Sequence, residues 1–178
     1  MLITEALAEL KTIVKRIEKK REYVRAYTTR YEGMKDPLEK DGGSPEVIKR
    51  EVQAIHDLLD RIVEIRTGIQ RTNLETSLTV EGVTRSIAEW LTWRKECSDG
   101  AARFISNLRT QIASARQEAT RRGQGVVQAG LVASAPTDLV VNVSEGTLAD
   151  DAELLEKVLG NLDGALSVIN ATTHVIGI

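Results

Sequence analysis

The stretch Ile69-Gln-Arg-Thr-Asn73-Leu-Glu-Thr76-Ser-Leu78 has a counterpart in Leu166-Ser-Val-Ile-Asn170-Ala-Thr-Thr173-His-Val175. Both place an apolar residue, an asparagine, a threonine and a second apolar residue at the same spacing. The match continues backwards in the same register through the apolar pairs Leu58/Leu155, Ile62/Leu159 and Ile65/Leu162. Apolar residues three and four positions apart are typical of an amphipathic helix. The repeat therefore predicts two equivalent helices with the same polar ending.

The polar residues of this ending have a structural interpretation and a ligand-binding alternative. An asparagine in the seam between helices commonly sets their register through a hydrogen bond across the interface. A threonine at a helix end can satisfy backbone groups that the helix leaves free. We therefore predict structural helix-end roles for Asn73, Thr76, Asn170 and Thr173.

Composition favours long helices over a compact aromatic core. The chain has 178 residues, of which 42% are apolar, 28% are charged and only 3% are aromatic, as expected for aliphatic helix seams. The formal net charge of −2 provides no global attraction for nucleic acid. The first helix is basic and the last is acidic, which we interpret as solvated faces of opposite sign that help the two ends associate.

Four helices follow from the apolar spacing and the capping residues. The first is predicted from Thr4 to Glu32, and the second starts at Ser44-Pro45-Glu46 with Ser44 as the N-cap. Steps of four and three give two seams: Ile3, Leu7, Leu10, Val14, Ile17, Val24 and Tyr31 in the first helix, and Ile48, Val52, Ile55, Leu59, Ile62, Ile69 and Asn73 in the second. A loop of about ten residues should fold them into an antiparallel hairpin.

The third helix is predicted from Thr84 to Arg122, after a break at Thr79–Gly82. Its apolar stripe includes Trp90, Cys97 and Phe104. We expect Cys97 to act as a small buried hydrophobe. Trp93 projects off this stripe and is the better candidate for an interface.

A segment of different character separates the third and fourth helices. Val126 to Val143 is rich in β-branched residues and has Ala135-Pro-Thr-Asp138 in the middle, which predicts a β-hairpin arm. A lone two-stranded ribbon is marginally stable in water. We therefore expect apolar side chains of the arm to be buried against another chain or against this chain's own helices. These side chains are Leu131, Val132, Leu139 and Val141. The fourth helix is predicted from about Leu148 to Thr172.

Together these features predict a mainly α fold. It would be an elongated antiparallel coiled-coil bundle of four helices with a short β-hairpin arm between helices three and four. The predicted segments of this single domain are 1–122 for the first three helices, 123–146 for the arm and 147–178 for the last helix.

Residues with catalytic or ligand-binding potential do not form a recognisable motif. His56 and His174 have no cysteine, histidine or carboxylate at the spacing of metal ligands. Gly123-Gln-Gly125 lacks the Gly-Lys-Ser/Thr ending of a phosphate-binding loop. The sequence therefore predicts a non-enzymatic protein with no cofactor and no metal.

The order of elements resembles the septicolysin-like family of small bacterial helical proteins, whose function is poorly defined. The resemblance lies in Ile69–Thr76, in the glycine turn and helix start Gly82–Leu91, and in the Leu-Asp…Asn-x-x-Thr ending Leu162–Thr173. This chain departs from the family after Asn170. The family usually has an Asn-Trp pair near the C-terminus, whereas here Asn170 is followed by Ala171. The resemblance implies a helical fold, and no cytolytic activity is inferred from it.

We interpret the protein as an assembly element that self-associates or docks on a larger complex through its helices and its arm. A phage virion component fits this description. The alternative is a membrane-active, pore-forming protein, because residues 123–137 are uncharged and partly alternating; a liposome leakage assay would separate the two. The single cysteine and a start (Met1-Leu-Ile-Thr-Glu) without a basic leader predict a chain that is cytoplasmic at synthesis. Its partner would be protein, not nucleic acid, and a membrane is disfavoured.

Overall fold

The computed structural model of the protein describes residues 1–130, Ala135 and residues 137–178. The fold is mainly helical and divides into two compact units. The first contains Met1–Thr76 and Ser167–Ile178, and the second contains Ser77–Leu166. One boundary falls inside the predicted segment 1–122 and the other inside the predicted segment 147–178.

Two long helices form the body of the first unit. α1 spans Ile3–Tyr27 and α2 spans Ser44–Glu75, joined by a loop with a 3-10 turn at Glu39–Asp41. Ion pairs between Arg61 and Glu9 (2.9 Å) and between Lys20 and Glu51 (2.6 Å) show that the helices are antiparallel. Aliphatic side chains from both helices and from the C-terminal segment form the buried core: Ile3, Ala6, Leu10, Ile13, Ile17, Ile65 and Val175.

The buried stripe of α1 differs from the predicted seam. Leu7 and Val14 were expected in the core, yet they are 41% and 55% exposed. Ala6 and Ile13, one position earlier, are buried in their place. The prediction was wrong here because the apolar stripe of α1 is wider than its contact with one neighbouring helix, and spacing alone does not show which edge is covered.

The same correction applies to α2. Val52 and Leu59 belong to the predicted seam but are exposed, whereas Val47 and Ile65 are buried. Ile55 and Ile62 are partly buried and pack against the core. Both helices therefore keep one edge of their apolar stripe outside the core of the first unit.

The start of α2 is fixed by a side chain from the loop. The helix begins at Ser44 itself, after Gly43 as the N-cap, so the predicted N-cap lies one residue too late. Asp36 provides the missing acceptor: its carboxylate accepts the Ser44 N–H at 2.8 Å and the Ser44 hydroxyl at 2.5 Å. Its pKa falls to about 2, chiefly because of these bonds and a third from the Leu38 N–H.

The two ends of the described chain meet in the first unit. Leu2 and His174 form an isolated antiparallel bridge, and the Val175 N–H donates to the Met1 carbonyl at 2.8 Å. The Val175 side chain is buried against α2 at Gly68, where the absence of a side chain allows a close approach.

The second unit opens with a β-hairpin where the sequence predicted only a break. β1 (Ser77–Val80) and β2 (Val83–Ser86) are antiparallel. Glu81 and Gly82 form the turn with φ of 47° and 78°, the left-handed conformation that tight hairpins need. The signal was missed because Glu-Gly is not the usual Asn-Gly or Asp-Gly pair.

A π-helical segment interrupts the third predicted helix. α3 (Ile87–Thr92) continues into the π segment Trp93–Ser98 and then into α4 (Asp99–Arg121). A π turn holds more residues than an α turn, so it shifts the buried face. Ser98 is buried and Cys97 is exposed, and the prediction of a buried Cys97 was therefore wrong.

The segment between α4 and the last helix is not a β-hairpin. β3 (Val126–Gln128) and β4 (Leu139–Val141) pair in parallel, with Val126 beside Leu139 and Gln128 beside Val141. The Leu139 N–H donates to the Gly125 carbonyl at 2.8 Å. The predicted hairpin was wrong because β-branched runs indicate strands without specifying their direction.

The last helix, α5, spans Glu145–Thr172. Asn170 lies two residues before its last residue, and Asn73 lies two residues before the end of α2 at Glu75. The two asparagines thus occupy the same position relative to their helix ends. Both are partly buried.

Candidate functional site

An open apolar groove of about 340 Å³ lies between α4 and α5 in the second unit. The π segment and α4 form one wall with Trp93, Ala101, Phe104 and Ile105; α5 forms the other with Leu148, Asp151, Leu154, Leu155 and Val158. Its size and mainly apolar lining are those of a site that holds an apolar ligand or a partner side chain.

Two large apolar side chains stay exposed at this groove. Phe104 is 63% exposed and Leu154 is 53% exposed. Phe104 is the single phenylalanine of the chain. Full burial of such side chains is favourable by about 1.5–3 kcal/mol each, so a partner that covered them would gain substantial free energy.

Polar contacts hold the two walls together. Arg94 pairs with Asp163 at 2.7 Å, and the Arg109 guanidinium donates to the Leu148 carbonyl at 3.0 Å. Arg116 and Glu145 form a further ion pair. These contacts place the beginning of one helix beside the end of the other, so α4 and α5 are antiparallel and the groove is largely preformed.

Trp93 lines the edge of the groove, and Trp90 packs behind it. Trp90 is buried, and its indole N–H donates to the Leu78 carbonyl of β1 at 2.9 Å. The Trp93 ring packs edge-on against it, with centroids 5.6 Å apart. Trp93, the tryptophan predicted for an interface, is partly exposed at the groove.

The charge of the groove comes from Asp151, an exposed carboxylate among apolar side chains. α5 carries further acidic residues nearby at Asp150, Glu153 and Glu156. An apolar ligand with a positively charged group beside it would match this lining.

The other predicted interface residues are placed differently. Leu131 and Val132 lie outside the described residues. Val141 is buried, Leu139 is partly buried, and Val140 between them is exposed at 41%. The structure does not bring these strand residues into the lining of the α4/α5 groove.

Near the predicted helix-end residues, Thr72 links α2 to the C-terminal segment, although the sequence did not single it out. Thr72 is buried; its hydroxyl donates to the Gly68 carbonyl and accepts the Ile176 N–H, both at 2.9 Å. Thr76 is the C-cap of α2, and Asn170 accepts the Thr4 hydroxyl at its backbone carbonyl. A threonine inside a helix gives no signal of this role in the sequence.

Within residues 1–130, 135 and 137–178, no group of three or more histidine, cysteine or acidic side chains could hold a metal ion. His56 and His174 are both exposed. Among the helices of the described part of the chain, none is long and apolar enough to cross a membrane.

The groove itself was missed by sequence reasoning. The apolar spacing places Phe104 on the stripe of the third predicted helix. The internal repeat includes Leu155 but not its neighbour Leu154. The sequence nevertheless contains a sign of the groove in two pairs of adjacent apolar residues, Phe104-Ile105 and Leu154-Leu155. Only one residue of such a pair can face the contact between the helices fully, so the other is left at its edge.

Comparison of the chain with known protein families, curated proteins and solved structures found no match. The resemblance to the septicolysin-like family stays a prediction.

Proposed function

We propose that the protein is a non-enzymatic assembly element that docks on a larger complex by binding a partner helix in the α4/α5 groove. The observation that carries this proposal is the exposure of Phe104 and Leu154 on facing helices, beside Trp93. Aromatic and aliphatic side chains at the centre of a groove are the usual anchors of a protein interface.

The occupant that fits best is an amphipathic helix. Two antiparallel helices leave a groove into which a third helix places apolar side chains at helical spacing. Asp151 in the lining favours a lysine or arginine next to the apolar side chains of that helix. The partner is therefore a protein segment with an apolar stripe and a neighbouring positive charge.

The parallel strands β3 and β4 are a second element of the proposed contact. Val140 is exposed on β4, and each strand pairs with only one neighbour in the described part of the chain. A free strand edge can accept a strand from another protein. Of the residues predicted for an interface, Leu139 and Val141 belong to β4, and Leu131 and Val132 lie outside the described residues.

Docking without chemistry suits a structural component of a larger particle, and a phage virion component is the form of this proposal that we retain. A coiled-coil contact between helices of different chains would be its means of assembly. The pore-forming alternative rests on the uncharged stretch 123–137 alone, and the described structure adds no observation in its favour.

The proposal can be tested with a defined probe. A synthetic amphipathic peptide with one leucine face and one adjacent lysine should bind with a Kd of order 10 μM, and Trp93 fluorescence should report it. Phe104→Asp should weaken binding at least about tenfold, because a carboxylate replaces an apolar anchor. Ala113→Asp is the control, since nine residues place it half a turn away on the same helix.

The charge of the peptide supplies a second readout. Asp151→Lys should reverse the preference, so that a peptide with glutamate in place of lysine binds better than the original. The proposal fails if the peptide does not bind, or if it binds the Phe104→Asp and Ala113→Asp proteins equally well.

A further inference from the structure

The hairpin of α1 and α2 has an apolar surface that the described part of the chain leaves uncovered. It consists of Leu7 and Val14 on α1 and Val52, Leu59 and Val63 on α2, and we call it the hairpin face. Each of these side chains is exposed by between 37% and 64%. Four of them, Leu7, Val14, Val52 and Leu59, belong to the predicted coiled-coil seams but not to the core of the first unit.

The hairpin face lies on one side of the helix pair. The ion pairs of Glu9 with Arg61 and of Lys20 with Glu51 close the opposite side. At 100° per residue, Leu7 and Val14 lie on one side of the buried stripe of α1, and Glu9 lies on the other side. Leu59 lies across the buried stripe of α2 from Arg61 by the same geometry.

The width of the apolar stripes indicates that each helix has more than one neighbour. A helix that packs against a single partner needs only a narrow seam, whereas a helix in a bundle has a wider stripe. The hairpin face is an apolar patch on the order of 400 Å². That is about half of the ~800 Å² that each partner contributes to a stable dimer, a proportion that fits an apolar core within a polar rim.

We propose that the hairpin face binds the same face of a second copy of the chain, so that two hairpins form an antiparallel four-helix bundle. A two-fold axis makes such an interface self-complementary. This inference goes beyond the proposed function, because it concerns another surface and names its occupant.

The register of the proposed dimer follows from α2. In an antiparallel pair of helices, the numbers of the residues that face each other have a constant sum. We place α2 antiparallel to α2 of the second copy, with Val52 opposite Leu59 of that copy. Ile48 then lies opposite Val63 with the same sum, and Ile55 is close to the two-fold axis. Apolar residues thus meet on both sides of the axis, Ile48 with Val63 and Val52 with Leu59, and Ile55 lies opposite His56 of the second copy at the axis itself.

Charges on α1 agree with this arrangement. Lys11 and Glu18 are exposed, lie two turns apart and flank Val14. Within the described residues, the one ion pair of Glu18 is a long contact of 3.9 Å with Arg21. In the antiparallel dimer, Lys11 of each copy lies opposite Glu18 of the other, and Val14 lies close to the axis. This complementarity favours a second copy over an unrelated helix.

A charge-exchange experiment tests the dimer and its register. Lys11→Glu or Glu18→Lys alone places like charges together twice per dimer, so each should weaken dimerisation about tenfold or more in sedimentation equilibrium. The double variant Lys11→Glu/Glu18→Lys restores opposite charges and should return the Kd to within about threefold of the original. All of these positions are exposed, so circular dichroism should show unchanged helix content.

Cross-linking provides an independent measurement. In a Cys97→Ser background, Val14→Cys should form a disulfide-linked dimer on mild oxidation, because the residue meets its own symmetry mate. Thr12→Cys, on the opposite side of α1, should not. A chain that stays monomeric at tens of micromolar (well above typical interface Kd values) overturns the inference, as does a dimer in which the double variant gives no rescue. Either result would leave peptide binding at the α4/α5 groove unaffected, so the two proposals fail separately.

Discussion

The carboxylate of Asp36 accepts three hydrogen bonds at the start of α2, from the Ser44 N–H, the Ser44 hydroxyl and the Leu38 N–H. These bonds favour the charged form and lower the pKa from 3.8 to about 2. A carboxylate whose pKa is lower in the folded state than in the unfolded state stabilises the fold at all pH values above the unfolded pKa. That stabilisation is lost as the pH falls from about 4 through about 2.

We therefore predict a pH-dependent effect of Asp36→Asn. The variant should unfold at a lower urea concentration than the original protein at pH 7, because the charged acceptor is lost. The difference between the two midpoints should stay constant down to about pH 4 and then shrink towards pH 2. Asp41→Asn, in the same loop, is the control. A difference that did not change between pH 4 and pH 2 would contradict the role given to this carboxylate.

The start of α3 illustrates how one cap defines an element. Ser86 accepts the Glu89 N–H at its hydroxyl, and the Glu89 carboxylate accepts the Ser86 N–H at 2.7 Å, which completes a capping box. The Ser86 N–H, and the Ser86 hydroxyl that donates to the same carboxylate at 2.9 Å, lower the pKa of Glu89. Thr84, where the sequence predicts the start of this helix, lies in β2 instead, and its hydroxyl is 2.7 Å from that of Thr79.

Ser86→Ala should accordingly destabilise the protein by about 1 kcal/mol, measured by urea denaturation. Thr84→Ala should cost less, because it removes an exposed hydroxyl pair and leaves the cap intact. Equal effects of the two substitutions, or a larger effect of Thr84→Ala, would place the start of the helix at the position expected from sequence.

The chain as a whole consists of two units, and its C-terminal segment belongs to the first. At Gly68 an added Cβ would lie 2.7 Å from Cγ1 of Val175 and 3.0 Å from the carbonyl oxygen of Ile176. Alanine is normally more stable than glycine inside a helix, by about 1 kcal/mol. Here the close approach of the C-terminal segment should reverse that sign.

We predict that Gly68→Ala destabilises the first unit by about 1–3 kcal/mol, as overpacked cores do. In a chain shortened by removal of Val175–Ile178, the same substitution should become stabilising, because the contacting atoms are gone. Hydrogen exchange should show the effect in residues 1–76 and 167–178. A stabilising Gly68→Ala in the full chain would mean that the C-terminal segment does not pack as described.

The amino-acid pattern alone determined where the helices lie and which residues could be apolar contacts. Spacings of three and four gave the helical regions, and the repeated ending placed Asn73 and Asn170 at equivalent positions, because both features are local and follow from helix geometry. Trp93 was assigned to an exposed surface for the same reason. It does lie at the α4/α5 groove, although its contact with a partner stays a prediction.

Only the tertiary structure decided which edge of each stripe is buried, because this depends on where the neighbouring helix lies. It decided that Leu7 and Val14 are outside the core and that the π segment turns Cys97 outward. It also decided that β3 and β4 are parallel, since strand direction depends on the path of the connection. The apolar groove arises from two helices that are far apart in sequence, so no local pattern could reveal it.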